Sequence, residues 1–464
     1  MNQPPLHERL AAHHQQHVLR DWDRWTDDER RSLAGQIAQL DLDALAAAFR
    51  GQSAGENWAE LSARASAPPA IRLHASDNRF STEQARQRGA AALKAGKVAA
   101  LLVAGGQGTR LGFDHPKGLY QVGPVSRASL FQILLEKVLA TGRRYGVAVP
   151  LYLMTSPATH AETLEFLAAN DRFGLPESDV HVFCQGTMPA VDAESGRLLL
   201  DSPGSLALSP DGHGGMLAAL DRSGGLQDLA ARGIEQLFYF QVDNPLAPVC
   251  DPDFLGYHLL AGSELSTLVV AKQFPTERVG NVANVDGRLR IIEYSDLPEA
   301  AANRRRADGS LELWAGNTAI HVFDVALLKR LSSQADALPF HLAHKAVPHL
   351  DEQGRRVEPA KPNAIKFERF IFDLLPAARN GIVVEADPSQ SFAPLKNAPG
   401  SERDSPETVH RQMVALHRSW LESAGMSVAD NIDVEISPLF ALDAEEVARK
   451  LKPPRAIDKS TYFS

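Results

Sequence analysis

Two cysteines in 464 residues, Cys184 and Cys250, are too few for a disulfide framework or a thiolate metal site. Both lie in apolar, strand-like contexts and read as small core residues of a protein kept in a reducing compartment. No apolar run approaches the ~18 residues that a membrane span needs. The opening segment MNQPPLHERLAAHHQQHVLR has no apolar centre of the signal-peptide kind, so a cytoplasmic location without a membrane partner is expected. Excess positive charge is also missing. The formal net charge of −9 argues against a general nucleic-acid binder, so any affinity for phosphate must be local. There is no internal repeat and no low-complexity tract. His13, His14 and His17 have no matching acid or cysteine set, and they read as a solvated helix face rather than a metal site.

The chain does have ordinary globular proportions: 44% hydrophobic and 23% charged residues, with a length that suggests about three domains. Residues 1–95 read as a helical N-terminal region. Leu33, Ile37 and Leu40 share one face, Asp41 or Asp43 can cap the next helix, and Pro68 and Pro69 mark a break. Ser81 and Gln84 have capping-box spacing ahead of a helix that Gly96 can end. Residues 96–385 alternate short β-rich runs with helices. Strands are expected at 98–104, 149–155, 180–184, 237–242, 266–271, 289–294, 319–323 and 381–385. A helix is expected from near Ser129, with Gln132 three residues on. This pattern predicts an α/β fold with a mixed, mostly parallel central sheet, whose ligands belong at strand C-terminal ends. Residues 386–464 read as a small C-terminal domain with helices at 406–424 and 441–451.

The densest chemical signal is KVAALLVAGGQGTRLGFDHPKG, residues 97–118. A buried strand opens into Gly105, Gly106 and Gly108, followed by Thr109, Arg110 and, after a proline, Lys117. A glycine turn leaves backbone N–H groups uncrowded and able to hold anions, and the two cations suit a polyphosphate. A Walker A loop is excluded because neither Gly105 nor Gly106 leads to the required lysine. A dinucleotide fingerprint is disfavoured because the third glycine arrives one residue late, at Gly112. No acid that could hold a ribose follows between Gly118 and Leu135. What remains is GGxGTRL with a downstream PK, the pattern of nucleotidyltransferases that make nucleoside-diphosphate sugars. Asp243 ends the apolar run LFYFQV and so falls at a strand's C-terminal edge, a suitable place for a Mg²⁺ ligand. Taken alone it reads as a helix cap or a solvated loop acid.

Seven further motifs follow in order: SPDGHGG (209–215), QVDNPL (241–246), PTERVGNV (275–282), EYSDL (293–297), AGN (315–317), PNAIKFERFIFD (362–373) and FAPLKN (392–397). With them, the chain from about residue 95 to 425 resembles the eukaryotic-type UDP-N-acetylglucosamine (N-acetylhexosamine) pyrophosphorylases, within the wider UDP-glucose pyrophosphorylase family. The resemblance implies a Rossmann-like sheet of the nucleotide-diphospho-sugar transferase type with helical N-terminal and small C-terminal flanks. It also implies UTP and a hexose 1-phosphate as substrates and Mg²⁺ or Mn²⁺ as cofactor, in a monomer or weak homo-oligomer.

By the same resemblance, Gly105, Gly106, Gly108 and Thr109, with Gln185 and Gly212, surround the nucleotide, and an amide such as Gln185 can meet both a donor and an acceptor of uracil. Arg110 and Lys117 hold the UTP phosphates and Asp243 meets the metal. Asn244, Glu293 and Asn317 face sugar hydroxyls, while Lys366 and Lys396 gather the sugar phosphate. Gln185 sits in CQGTMP where the family often has a QQGxxP-like run. His213 is a second departure: N-acetylhexosamine-selective members usually carry asparagine there, and the GHG context is similar to the UDP-glucose and broad UDP-sugar enzymes. AGN and FAPLKN look like the N-acetylhexosamine branch. A neutral imidazole offers one donor and one acceptor where an amide offers two of each, so sugar discrimination can change here. The expected activity is uridylyl transfer from UTP to N-acetylglucosamine 1-phosphate, with a UDP-glucose or broad UDP-sugar pyrophosphorylase as the alternative. A non-catalytic UDP-sugar sensor and an NAD-dependent oxidoreductase are the rivals from other classes. The first is opposed by the intact pyrophosphate clamp and the second by the glycine spacing.

Overall fold

The computed structural model describes residues 3–51, 57–334, 338–452 and 456–464. The chain divides into two compact units, each assembled from three stretches: Met1–Asn57, Gln185–Ala218 and Leu338–Asp373 in the first, and Trp58–Cys184, Ala219–Ala337 and Leu374–Ser464 in the second.

The second unit is built on a ten-stranded sheet. Its strands are β1 (Ala70–Ile71), β2 (Val98–Val103), β3 (Leu151–Thr155), β4 (Val180–Cys184), β5 (Gln236–Gln241), β6 (Leu265–Ala271), β7 (Asn281–Val285), β8 (Arg288–Ile292), β9 (Ala315–Asp324) and β10 (Ile382–Glu385). The main path runs β1-β10-β6-β9-β5-β2-β3-β4, with β7 and β8 as a hairpin attached to β9. Every neighbouring pair on that path is parallel except those made by β9, which runs antiparallel between β5 and β6. The expected mostly parallel α/β sheet is therefore present, with β9 reversed in its middle. β2 and β3 are buried at every position, which explains why their sequences show no alternation.

Four helices of this unit are α1 (Thr82–Lys94), α2 (Leu130–Tyr145), α3 (Pro252–Leu260) and α4 (Pro406–Ser423). Ser81 and Gln84 form the expected capping box on α1, and Gly96, at φ +66°, follows its end. Ser129 caps α2 by accepting the Gln132 N–H, and Leu130, Ile133, Leu134 and Val138 enter the core beside β2 and β3. The C-terminal segment also packs in this unit. Its strand Val434–Ile436 presents the buried Glu435 carboxylate to the N–H groups of Val125 and Ser126, at 2.7 and 2.6 Å.

Inside the same core, His258 of α3 is 1% exposed. One ring nitrogen meets Ser266 Oγ at 2.7 Å and the other meets Gln236 Oε1 at 2.8 Å. Desolvation lowers its pKa from 6.5 to about 3, so the folded protein holds it neutral. The unfolded chain binds this proton near pH 6.5 and the folded chain only near pH 3. Stability from this residue is thus complete above pH 6.5 and falls by up to about 1.4 kcal/mol per pH unit on acidification below it. Thermal melts between pH 7 and 4 are expected to show a shallower decline for His258→Gln than for the native chain. Equal slopes would place the acid sensitivity elsewhere.

The first unit joins helices Gln3–Ala12, Asp27–Gln39 and Leu42–Arg50 to an antiparallel sheet of His341–Lys345, Ala364–Glu368 and Val191–Asp192. Thr26 and Glu29 cap the second of these helices reciprocally, and Asp41 caps the third. Leu10, Leu33, Ile37 and Leu45 pack with Val191, Ile365 and Phe367. The three early histidines do not form a solvated helix face. The first helix stops at Ala12, His14 lies in a turn at φ +57°, and half-buried His17 donates from Nε2 to Leu198 O at 2.8 Å.

Candidate active site

The glycine loop leaves β2 at the expected edge of the second unit's sheet. Ser156, just past β3, donates from Oγ to Gly105 O at 2.7 Å, which fixes the first glycine from below. Gln107–Gly108 then pairs with Phe113–Pro116 as a small hairpin, and Lys117 N–H returns to Gly106 O at 3.0 Å. The turn Thr109–Leu111 at the hairpin tip exposes Thr109 and Arg110. Among the described residues Arg110 makes no salt bridge. Gly106 is exposed, and a Cβ built on it would meet nothing within 4 Å. Gly118 is the opposite case, since a Cβ there would lie 2.2 Å from the Phe131 ring.

Asp243 follows β5, whose register pairs Gln241 with Val103 of β2, so its loop and the glycine loop leave neighbouring strands at one sheet edge. Three expected site residues converge on Leu395. Its N–H donates to Asp243 O at 2.8 Å, its carbonyl accepts from Lys117 Nζ at 3.3 Å, and its chain neighbour is Lys396. Asp404, which sequence reasoning missed, lies beside them. Its carbonyl accepts the N–H groups of Lys396 and Asn397 at 2.8 and 2.9 Å, and its backbone is left-handed at φ +52°. Burial raises its carboxyl above the ordinary value, with the Asp243 charge adding to the rise and the Lys396 charge opposing it. Nothing in the sequence around Asp404 marks it, because it is recruited by backbone bonds across a loop.

A third group gathers around Gly280. Asn317 N–H donates to Gly280 O at 2.8 Å, and a Cβ on Gly280 would stand 2.9 Å from Glu293 Oε1. Asn317 is aimed by a bulge: Val269 of β6 pairs with Asn317 but Leu268 pairs with Ile320, leaving Thr318 and Ala319 over. Ala319 takes φ +58°, and its N–H donates to Asn317 Oδ1 at 3.0 Å. Buried Lys272, also unforeseen, steadies the preceding loop by donating to Asn281 Oδ1 and Pro275 O, and desolvation lowers its pKa to about 8.

Asn244 does not join these groups as a sugar contact would. It is 3% exposed and its amide is bonded to backbone groups of 246, 391 and 393.

The remaining expected residues belong to the first unit. Gly212 has φ +82°, and a Cβ on it would approach Arg369 O to 2.5 Å. His213 Nδ1 accepts the Ile371 N–H at 3.3 Å, and its ring stacks on Phe370 with centroids 5.3 Å apart. Desolvation, helped by the His341 charge, lowers its pKa to about 4, so the ring is neutral with its proton on Nε2. Lys366 is half-buried on the strand Ala364–Glu368. Gln185 is 8% exposed, and its amide has no hydrogen-bond partner among the described residues.

The family model for UTP–glucose-1-phosphate uridylyltransferase matches residues 57–445. The chain belongs to that family. UDP-N-acetylglucosamine pyrophosphorylase of Saccharomyces cerevisiae is 39% identical over 369 residues, covering 78% of this chain and 77% of the yeast protein. Human UDP-N-acetylhexosamine pyrophosphorylase-like protein 1 is 37% identical over 442 residues, covering 91% and 86%. The crystal structure of uridine diphosphate N-acetylglucosamine pyrophosphorylase from Trypanosoma brucei, solved with an inhibitor, superposes with a TM-score of 0.83. It is 27% identical and covers 98% of this chain and 97% of its own. Among the described residues no helix is long and apolar enough to cross a membrane.

Proposed function

We propose that this member of the uridylyltransferase family joins UTP to N-acetylglucosamine 1-phosphate, giving UDP-N-acetylglucosamine and pyrophosphate. The observation that carries the reading is the convergence of Lys117, Asp243 and Lys396 on Leu395, beside a glycine loop with an open face. An oxygen of the sugar phosphate attacks the α-phosphorus of UTP, and the bond to the β-phosphate oxygen breaks. Pyrophosphate leaves with the electron pair. The attacking oxygen is already an anion, so no general base is needed. Catalysis then rests on alignment and on cationic groups that meet the charge growing on the leaving group. Arg110 and Lys117 take the UTP phosphates, with backbone N–H groups of 105–109 around the nucleotide. Lys396 takes the sugar phosphate. Gln185 and Gly212 take the uridine, for which Gln185's unpaired amide is suited. Glu293 and Asn317 take sugar hydroxyls.

A divalent cation would supply charge compensation on the phosphates. The carboxylates fit one: Asp243 is half-buried, its carboxylate has no hydrogen bond or ion pair with another described residue, and Asp404 lies within its field. Mg²⁺ or Mn²⁺ commonly takes one or two such carboxylates and fills its other positions with phosphate oxygens and water. Among the described residues no cluster of three potential ligands exists to hold a metal by protein alone.

His213 supports a second reading, in which glucose 1-phosphate or several hexose phosphates are used. Its neutral ring carries a single donor, Nε2–H, where an amide would carry two. Pyrophosphate release should be measured with the 1-phosphates of glucose, galactose, N-acetylglucosamine and N-acetylgalactosamine. His213→Asn is expected to shift the kcat/KM ratio between acetylated and plain sugars by about tenfold or more toward the acetylated ones. An unchanged ratio removes His213 from sugar discrimination. Release with none of the four sugars would overturn the catalytic reading in favour of a UDP-sugar sensor.

A further inference from the structure

We propose that Asn244 is a positioning residue for Lys396 and makes no contact with the sugar. The inference rests on Lys396 as the cation for the sugar phosphate. Asn244 Nδ2 donates to Ser391 O at 2.8 Å, and its Oδ1 accepts the N–H groups of Ala393 at 3.0 Å and Leu246 at 3.2 Å. Both lone-pair directions of the amide oxygen are therefore spent within the protein, and the side chain is buried.

These bonds have a pattern. Leu395 N–H donates to Asp243 O, so residues 391, 393 and 395 are each tied to the pair Asp243–Asn244. The carboxamide works as a short artificial strand, extending the end of β5 toward the FAPLKN segment. On the other side, Lys396 and Asn397 donate to Asp404 O. The backbone at Lys396 is thus held from both directions.

The loop that carries Asn244 is itself backed. Pro245 and Pro248 offer no N–H, and the carbonyls of Pro245 and Ala247 accept from Lys137 Nζ of α2, at 2.7 and 2.9 Å. An amide suits this place because its nitrogen donates to one carbonyl while its oxygen accepts two N–H groups. Aspartate would set an oxygen against Ser391 O, and alanine would leave Ser391 O and Ala393 N without partners. A sugar contact explains neither the burial nor the alternation of the tied residues.

The test compares Asn244→Ala, Asn244→Asp and Lys396→Ala, assayed for pyrophosphate release with UTP and either N-acetylglucosamine 1-phosphate or glucose 1-phosphate. The expected result is a fall in kcat on the order of 10²-fold for Asn244→Ala, by the same factor with both sugars, so that their kcat/KM ratio is kept. Amide hydrogen exchange of residues 393–397 should accelerate while that of β2 and β5 stays slow. A tenfold change in the sugar ratio would make Asn244 a sugar ligand and overturn the proposal, as would a native kcat. If Asn244→Ala does not fold, Asn244→Asp decides, because it keeps both accepted N–H groups and loses only the donor. Native kcat and native exchange in Asn244→Asp would equally overturn it. Native turnover in Lys396→Ala would instead show that the role given to Lys396 is wrong, a failure visible without any Asn244 variant.

Discussion

Lys396→Ala and Arg110→Ala are each expected to lower kcat by ~10²–10³ while leaving the melting temperature nearly unchanged. The size follows from the chemistry. The reaction brings a sugar phosphate dianion against a triphosphate and expels pyrophosphate, so each fixed cation compensates charge at a step where water is partly excluded. Removing one such group elsewhere costs about 2.7–4 kcal/mol of transition-state stabilisation. The small structural effect follows from the positions. Arg110 is exposed on the hairpin tip without a salt bridge to any described residue, and Lys396 is bound to the protein through its backbone N–H. Pyrophosphate release and a thermal melt on the same preparations check both parts. Native turnover in both variants would mean that the phosphates are held elsewhere.

Gly106→Ala is expected to fold normally and to lose UTP. A built Cβ meets no atom within 4 Å, and the residue lies outside the left-handed region, so the substitution should alter stability by less than about 0.5 kcal/mol. The methyl group nevertheless enters the space through which a phosphate would approach the loop. Loss of close approach should weaken UTP binding by roughly 10²-fold, or about 2.8 kcal/mol. Gly118→Ala supplies the contrast. Its methyl would have to displace the Phe131 ring, a case of overpacking worth about 1–3 kcal/mol of stability. UTP affinity per folded molecule should survive there. Calorimetric titration with UTP beside thermal melts separates the two. Equal UTP affinity in Gly106→Ala and the native chain would remove the glycine loop from the nucleotide site.

The elements best foreseen from the sequence are those with strong local signals. The run at 98–104 became Val98–Val103, and 180–184 became Val180–Cys184. The caps at Ser81 and Ser129 stand where their spacing placed them. The expected strand at 319–323 is in fact Ala315–Asp324, because a bulge at Thr318 and Ala319 hides its first half from any period-two pattern. Strand β7, Asn281–Val285, was not foreseen; its pairing with β8 and β9 is a tertiary matter. Site residues divide in the same way. Side chains marked by motifs stand out as candidates from the sequence alone. Ser156 meets Gly105 O from a distant segment, Asp404 takes two N–H groups across a loop, and Lys272 holds Pro275 O and the Asn281 side chain; none carries a local signature. Asn244 shows the converse, since its motif suggested a ligand and its amide is bonded to Leu246, Ser391 and Ala393.

The first unit's apolar core has a temporal side. Leu33 and Ile37 are made early, but Ile365 and Phe367, which complete their burial, emerge only after most of the chain. At ordinary synthesis rates that interval is on the order of 15–65 s. The helices that carry Leu33 and Ile37 therefore wait with this face of their core incomplete until residues 365–367 are made. A chain cut before residue 365 would lack Ile365 and Phe367 and leave that part of the core open to water.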